Sequence, residues 1–327
     1  MKNNAKRWIA VGLAVLVLVA SMFMKDTSEQ KEAKGLSYLK DLGKSQLFDQ
    51  EVIQGTNPSQ KIRKISLEGV IQGDDNSQFV IDQLKEAADD PTTKGVILAV
   101  NSPGGSVYVS EKIAKEIKKL KEMKIPVYSV MEEMAASGGY YISAPTDRIY
   151  ASNETLTGSI GVIMGGRSFQ GLFEKYGIKE QNVVSGKMKD TGTMGRDLND
   201  EEKAYLQGLV DSAFGRFVKI VSEGRHMSEA DVRKLADGRV YDGAQAVKNG
   251  LVDKIGDIDM AIEDMIKENK LDDPQVVESS FANLSFRQLF QKVEDLKKSS
   301  SDLAILKELM EENRQAPMYI YGGVYGK

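Results

Sequence analysis

The chain has 327 residues, of which 41% are hydrophobic and 28% are charged, so it is long enough to bury a large core in one or two domains. Its net charge of -4 comes from interleaved acidic and basic residues, and the absence of a basic stripe argues against nucleic acid as a partner. The chain has no cysteine and a single histidine, His226, which excludes disulfides, a cysteine nucleophile and most zinc sites.

The N-terminus carries a targeting signal. Lys2, Lys6 and Arg7 precede an uncharged stretch at residues 8–24, which reaches the lower length limit for a membrane-spanning helix. The small-residue site at Ala20 matches a cleavage pattern poorly, which favours a single-pass anchor over a cleaved signal peptide. Long domains translocate largely regardless of charge, so we expect an anchor in the cell membrane and an extracytoplasmic catalytic body.

The globular part is predicted to begin after a polar linker. Residues 25–61 are charged and mostly polar, which is typical of a stalk. A strand is predicted at 64–73, followed by an amphipathic helix that Ser77 caps. The continuous apolar run at 95–101 predicts a strand buried on both faces.

The same alternation of strands and helices continues along the chain. A helix is predicted at 107–121, a buried strand from Pro126, and a further helix that opens at Ser137. This order predicts an α/β domain at residues 62–271, with parallel strands and right-handed crossovers. The remaining predicted elements are strands at 147–151 and 161–166 and helices at 169–176 and 200–223.

The region at 272–327 has a different character. An apolar stripe between Phe286 and Leu296 and a second amphipathic helix from Ser301 or Asp302 predict a C-terminal helical extension. Such stripes usually form packing or oligomer faces, and only occasionally lie on a membrane. The tail from Ala316 is uncharged up to Lys327, so we expect it to pair with a sheet edge or to lie in a substrate groove.

Two glycine-rich turns follow successive predicted strands, "NSPGGSV" at 101–107 and "AASGGYY" at 135–141. In a parallel sheet both turns lie at the edge where ligands bind. The second turn exposes the hydroxyl of Ser137 among small residues. The N–H of Gly138 and that of Gly104 or Gly105 are candidate oxyanion donors. The alternative is that both turns are simple connectors and that Ser137 is an N-cap.

A serine nucleophile needs a base. His226 lies in a polar stretch before Ser228, which starts a helix-capping pattern, and we interpret it as a surface residue. A lysine can serve if enclosure lowers its pKa from about 10.4 towards 7 or 8. The stretch "VVSGKMKDTGTMG" at 183–195 offers Lys187 and Lys189, and their spacing alone does not choose between them or exclude a solvated surface pair.

Five blocks in this order resemble the signal peptide peptidase A family of membrane-anchored Ser/Lys proteases, in its short bacterial form. The blocks are "VNSPGGSV", "MAASGGYYIS", "LTGSIGV", "SGKMKDTG" and "ADGRVYDGAQAVKNGLVDKIGD". The resemblance covers roughly residues 65–265. It implies a serine endopeptidase that needs no metal or cofactor and that degrades remnant signal peptides after secretion.

The resemblance also assigns roles to residues. It implies that Ser137 is the nucleophile, that Lys189 is the general base with Lys187 as second choice, and that Ser159 orients the lysine amine. Gly104 and Gly138 match the oxyanion-hole donors. Residues 237–253 are expected to form a structural turn–helix–strand element rather than part of the site.

The family's architecture is the Clp protease and crotonase fold, a spiral of ββα units. The resemblance to the short members implies a ring-shaped homo-oligomer, commonly an octamer. In such a ring, Ser137 and Lys189 of one site come from adjacent subunits. Three other interpretations remain open at this stage. They are a crotonase-like acyl-CoA enzyme with the same turns, a membrane-tethered oligomeric scaffold, and a Clp-like Ser/His/Asp protease that uses His226.

Overall fold

The computed structural model of the protein describes residues 48–281 and 318–320. Apart from residues 48–49 and 280–281, these belong to one compact unit. The predicted anchor at 8–24 and the two predicted C-terminal helices lie outside the described residues. Within the described ranges, no helix combines the length and the apolar character that crossing a membrane requires.

Short strands and helices alternate along the described chain. The strands are β1 (Phe48–Gln54), β2 (Asn57–Glu68), β3 (Thr93–Ser102), β4 (Gly104–Ser106), β5 (Val127–Ala136), β6 (Arg148–Ala151), β7 (Leu156–Gly158), β8 (Val240–Tyr241), β9 (Lys254–Ile255), β10 (Pro274–Phe281) and β11 (Met318–Ile320). The helices are α1 (Asp75–Asp89), α2 (Val107–Glu122), α3 (Gly138–Ser143), α4 (Gln170–Lys175), α5 (Asp200–Arg225), α6 (Glu229–Leu235), α7 (Gly243–Lys248) and α8 (Ile258–Glu268).

The main sheet is largely parallel, as the alternation of strands and helices predicts. Its order is β1-β10-β2-β3-β5-β6-β9, and the pairs β10–β2, β2–β3, β3–β5, β5–β6 and β6–β9 are all parallel. The first part of β5 pairs with β6, and its C-terminal end pairs with β7 in parallel. Strand β7 pairs in turn with β8 in antiparallel fashion. The mixed α/β fold is therefore confirmed.

Apolar side chains on both faces of the sheet hold the unit together. Successive residues of β3 alternate between two clusters, with Leu98 in one and Ile97 in the other, and both are fully buried. The larger cluster includes residues of α1, α2, α3 and α5, and the smaller one includes residues of α8. The prediction that the apolar run at 95–101 is buried on both faces is thus confirmed.

The ends of several elements differ from the sequence predictions. The sheet begins before residue 62, with β1 and β2, and β10 returns to it after residue 272. The cap of α1 is Asp74 rather than Ser77, because an Asp74 carboxylate oxygen accepts from the N–H of Ser77 at 2.9 Å. The Oγ of Ser77 is turned inward instead, where it accepts from the N–H of Gln72.

The prediction of a strand at 161–166 is wrong. This part of the chain forms no strand, and the sheet continues earlier, at β7. Val162 packs against the core but Ile163 is 43% exposed, so the apolar run has no continuous buried face. Apolar composition alone cannot separate such a run from a strand.

Candidate active site

Ser137 lies at the turn between β5 and α3 in a sparsely populated backbone conformation. Its φ and ψ angles are 54° and -111°, a region that non-glycine residues adopt at an energetic cost. The residue is only 1% exposed, and its Oγ has no hydrogen-bond partner within the described residues. Ser137 occupies the N-cap position of α3, but its side chain makes no capping hydrogen bond, so capping does not account for its hydroxyl.

A buried hydroxyl without a hydrogen-bond partner lowers the free energy of unfolding by about 1–3 kcal/mol. A turn that only connects a strand to a helix gains nothing from such a group. Strained strand-to-helix turns that present a serine occur in other hydrolases, where the turn brings the hydroxyl to the substrate. The local geometry of Ser137 therefore fits a nucleophile better than a structural serine.

The two glycine-rich turns lie side by side, as predicted. The parallel register of β3 and β5 places Ser102 opposite Ala135. The second turn is so close to the first that a Cβ on Gly139 would lie 2.9 Å from the carbonyl oxygen of Ser102. Only a glycine fits there without a shift of the backbone.

The candidate oxyanion donors differ in their present partners. Gly138 is the first residue of α3, where N–H groups have no partner inside the helix. The N–H of Gly104 donates to the Oγ of Ser102 at 3.1 Å, and an oxyanion would have to replace this contact. Ser102 was missed in the sequence analysis, although a serine two residues before a glycine in a turn is a typical backbone acceptor.

Ser159 is held next to Ser137 by the register of β5 and β7. Ala136 pairs with Gly158, and the N–H of Ser137 donates to the carbonyl oxygen of Gly158 at 2.8 Å. The N–H of Ser159 in turn donates to the carbonyl oxygen of Arg239 at 2.8 Å. Ser159 has a φ of 48° and is 5% exposed. The structure thus brings Ser137 and Ser159 together at the same end of the sheet.

The segment at 237–253 supports this arrangement from outside. It contains β8, α7 and the residues leading to β9, in agreement with the predicted turn–helix–strand element. Arg239, whose carbonyl group holds Ser159, also forms an ion pair with Asp237. Its contribution is a backbone acceptor, which the sequence does not reveal.

Neither candidate lysine contacts Ser137. Both lie in a loop at residues 186–198, here called the lysine loop, and both are exposed. Lys187 forms an ion pair with Glu201. No hydrogen bond or ion pair of the Lys189 side chain is found among the described residues. Of the two amines, only that of Lys189 is free for another role within this part of the chain.

His226 does not complete a triad. It is exposed at the C-cap of α5, in a left-handed conformation with a φ of 54°. The adjacent Ser228 caps α6 as predicted, since its Oγ accepts from the N–H of Asp231 at 3.1 Å. Because the Oγ of Ser137 has no hydrogen-bond partner in the described ranges, the Ser/His/Asp alternative has no support.

Part of the C-terminal tail occupies the edge of the first glycine-rich turn. β11 pairs in antiparallel fashion with β4, so that Met318 lies opposite Ser106, Tyr319 opposite Gly105 and Ile320 opposite Gly104. These three residues of the tail thus pair with a strand, but with β4 in a separate two-stranded sheet rather than with an edge of the main sheet. This edge of β4 leads directly to a candidate oxyanion donor.

The sequence was compared with those of known proteins. The profile of peptidase family S49 matches residues 119–272, and that of Clp protease matches residues 49–153. An Enterococcus faecium protein that carries the name signal peptide peptidase SppA is 40% identical in an alignment of 343 positions, which covers 98% of this chain and all of that protein. The chain belongs to peptidase family S49. It is therefore a serine protease, and the acyl-CoA and scaffold alternatives are not retained.

Other S49 relatives share a smaller part of their length with this chain. Protease 4 of Haemophilus influenzae is 37% identical over 63% of this chain and 34% of its own length. The chloroplastic serine protease SPPA of Arabidopsis thaliana is 34% identical over 57% of this chain and 28% of its own length. The similarity to Clp protease agrees with the parallel α/β sheet.

Proposed function

We propose that this S49 protease is a membrane-anchored Ser/Lys endopeptidase that degrades remnant signal peptides after secretion. The observation that carries the proposal is the buried Oγ of Ser137, which lacks a hydrogen-bond partner among the described residues and lies on a strained turn beside the first N–H of α3. The name of the Enterococcus faecium relative supports the substrate class. The uncharged stretch at 8–24 supports the anchor.

In this mechanism the Oγ of Ser137 attacks the scissile carbonyl carbon while the neutral amine of Lys189 takes the hydroxyl proton. The N–H groups of Gly138 and Gly104 donate to the developing oxyanion, after Gly104 releases Ser102. The protonated Lys189 then gives its proton to the leaving amine, and a water molecule hydrolyses the acyl-enzyme in the same manner. Ser159 orients the lysine amine.

We further propose that a second copy of the chain supplies Lys189. A lysine base needs an enclosed environment, but Lys189 is exposed in the single chain. The lysine loop is attached to the first turn of α5, through Glu202. A cavity of about 400 Å³ opens beside Ser159 and is lined by residues further along the same helix, among them Val210. Val210 lies about 12 Å along the helix axis beyond Glu202, where the lysine loop is attached. The chain's own lysine loop is therefore held away from this cavity, and the cavity has room for the Lys189 side chain of a second copy.

The surface around the lysine loop is suited to such assembly. Exposed apolar side chains are grouped between residues 163 and 184, where they are Ile163, Leu172, Tyr176, Ile178, Val183 and Val184. Helix α4, in the middle of this segment, buries none of its residues within the chain. Exposed apolar surface of this kind marks protein interfaces. This observation supports self-association of the chain, and the family resemblance implies ring-shaped octamers.

The test of a shared site is co-assembly of two inactive variants. Ser137→Ala and Lys189→Ala subunits are co-expressed with different affinity tags, and the doubly purified oligomers are assayed with a hydrophobic peptide in detergent. If neighbouring subunits share each site, random assortment restores about a quarter of the native activity. If both groups come from one chain, the mixed oligomers stay inactive. Separately purified oligomers of each variant are the control.

The pairing of β11 with β4 supports an extended substrate. A peptide that binds by adding a strand to β4 gains main-chain hydrogen bonds and needs few side-chain contacts, which suits apolar sequences of varied composition. The tail occupies this edge, so it competes with such a peptide or serves as a substrate itself. Deletion of residues 316–327 is therefore expected to lower the KM for an external peptide. An unchanged KM and kcat would count against a substrate path along β4.

A further inference from the structure

Glu202 is an unusual residue for its position in the structure. It belongs to the first turn of α5, where its neighbours Asp200 and Glu201 are exposed, yet its own side chain is completely buried. A buried carboxylate is costly unless it is paired and fully hydrogen-bonded. The partners of the Glu202 carboxylate should therefore reveal its role.

Glu202 is paired with Arg196, which lies in the lysine loop. The two nitrogens of the guanidinium group donate to the two carboxylate oxygens at 2.6 and 2.8 Å, a bidentate arrangement that fixes both side chains. The carboxylate also accepts from the N–H of Asn199 at 3.0 Å, which completes a capping box at the start of α5. These charged contacts bind the end of the lysine loop to the helix.

The same network reaches the two residues that follow Lys189. Arg196 donates to a carboxylate oxygen of Asp190 at 3.1 Å, and the hydroxyl of Thr191 donates to Glu202 at 3.3 Å. The N–H of Lys189 itself donates to the carbonyl oxygen of Gly186 at 2.9 Å. The backbone on both sides of Lys189 is therefore fixed, although its side chain is free within the described residues.

The capping box alone does not explain the charge. A glutamine at the same position accepts the N–H of Asn199 equally well, since glutamine is an ordinary member of this motif. What glutamine cannot provide is a charged, bidentate partner for Arg196. Hydrogen bonds from Arg196, followed by the bond from the N–H of Asn199, lower the pKa of Glu202 to about 2, so the carboxylate stays charged at any pH suited to a lysine base.

We propose that Glu202 and Arg196 are positioning residues that fix the lysine loop in the conformation that presents Lys189 to Ser137 of a neighbouring copy of the chain. This inference rests on the proposed Ser/Lys mechanism and adds to it the means by which an exposed loop delivers a base accurately. Loops outside a sheet lack a register to hold them, and the ion pair of Arg196 with Glu202 takes over that role.

The test compares Glu202→Gln with Glu201→Gln in the full-length protein, assayed in detergent with a hydrophobic peptide. Both variants remove one carboxylate from the junction of the lysine loop and α5. Glu201 forms an exposed ion pair, whose contribution is small, so Glu201→Gln is expected to keep native kinetics within about twofold. Glu202→Gln is expected to lower kcat about 10- to 100-fold with KM within about twofold, because misplacement of a catalytic group by about 1 Å has effects of this size.

The pH profile separates positioning from a loss of folded protein. A loosened loop leaves the amine of Lys189 more hydrated, so the midpoint of the rise in kcat with pH should move to higher pH in Glu202→Gln. Arg196→Lys, which keeps the charge but loses the bidentate contact, should show a smaller shift in the same direction. Native kcat in Glu202→Gln, or a fall in kcat by the same factor at every pH, would overturn the proposal.

Two further measurements complete the test. If Glu202→Gln does not fold, Arg196→Lys decides by the same pH profile, since it keeps every charge near Lys189 and lies outside the capping box. Lys189→Ala is assayed in parallel. Native activity in Lys189→Ala would remove the Ser/Lys mechanism itself, whereas inactive Lys189→Ala with an unshifted Glu202→Gln profile would remove only the positioning role.

Discussion

The region around Ser137 and the region around Lys189 are built in opposite ways. Ser137 and Ser159 follow neighbouring strands of the main sheet, are almost fully buried and are connected by backbone hydrogen bonds. Lys189 lies in a loop outside the sheet and is exposed, and ion pairs rather than strand register hold that loop. The first region is thus fixed by the register of the sheet, and the second by side-chain contacts at the surface.

This contrast explains why the two regions should respond differently to substitution. Close packing around Ser137 leaves little space for added atoms, so changes there should affect both folding and activity. Replacement of the exposed lysines of the lysine loop should affect activity alone, because their side chains lie outside the core.

Replacement of the nucleophile should separate activity from stability most clearly. In Ser137→Ala we expect kcat to fall by at least about 10⁴-fold, as in other serine proteases that lose the nucleophile. The same change removes a buried hydroxyl that lacks a partner in the described residues, so the melting temperature should rise, by the equivalent of about 1 kcal/mol. Peptide hydrolysis and thermal unfolding measure the two effects. A lower melting temperature would show that the hydroxyl has a structural partner.

Gly105→Ala tests how tightly the serine region is packed. A Cβ at this position would lie 1.9 Å from the carbonyl oxygen of Ile71, and backbone atoms cannot yield as a flexible side chain does. We expect a loss of about 3 kcal/mol in the free energy of unfolding, together with loss of peptidase activity. Gly73→Ala is the matched control, since nothing lies within 4 Å of an added Cβ there. Equal stability of the two variants would contradict the close packing of this turn.

The smallest effect concerns acid stability of the lysine region. The pKa of Glu202 is lowered from 4.5 to about 2 in the folded protein, chiefly by hydrogen bonds from Arg196. A lowered pKa stabilises the fold above pH 4.5, and this contribution is lost as the pH falls towards 2. Between pH 5 and pH 3, the melting temperature of Glu202→Gln should therefore fall less than that of the native protein. Parallel curves for the two proteins would show that this ion pair is not coupled to folding.

Much of the serine region can be predicted from the sequence. Strand order and glycine-rich turns are local patterns, and parallel pairing brings the ends of successive strands to one edge. The adjacent positions of Ser102 and Ala135 follow from that rule alone. The anchoring of Ser159 through the carbonyl group of Arg239 does not, because backbone acceptors carry no side-chain signature.

The lysine region is harder to predict for a physical reason. The spacing of Lys187 and Lys189 leaves both available, and only the ion pair of Lys187 with Glu201 distinguishes them in the structure. The partnership of Arg196 with Glu202 also escapes the sequence, where "ND" followed by "EE" indicates only a helix start. The strand predicted at 161–166 fails similarly, since the chain leaves the sheet there to form an exposed surface.

A comparison of Lys189→Ala with Lys187→Ala tests whether the amine of Lys189 takes the proton from Ser137. Both substitutions remove one amine from the same exposed loop, so their effects on folding should be alike. We expect kcat of full-length Lys189→Ala for a hydrophobic peptide to fall at least about 10³-fold, whereas Lys187→Ala stays within about threefold of native. Native-like hydrolysis by Lys189→Ala would show that another group takes the proton from Ser137.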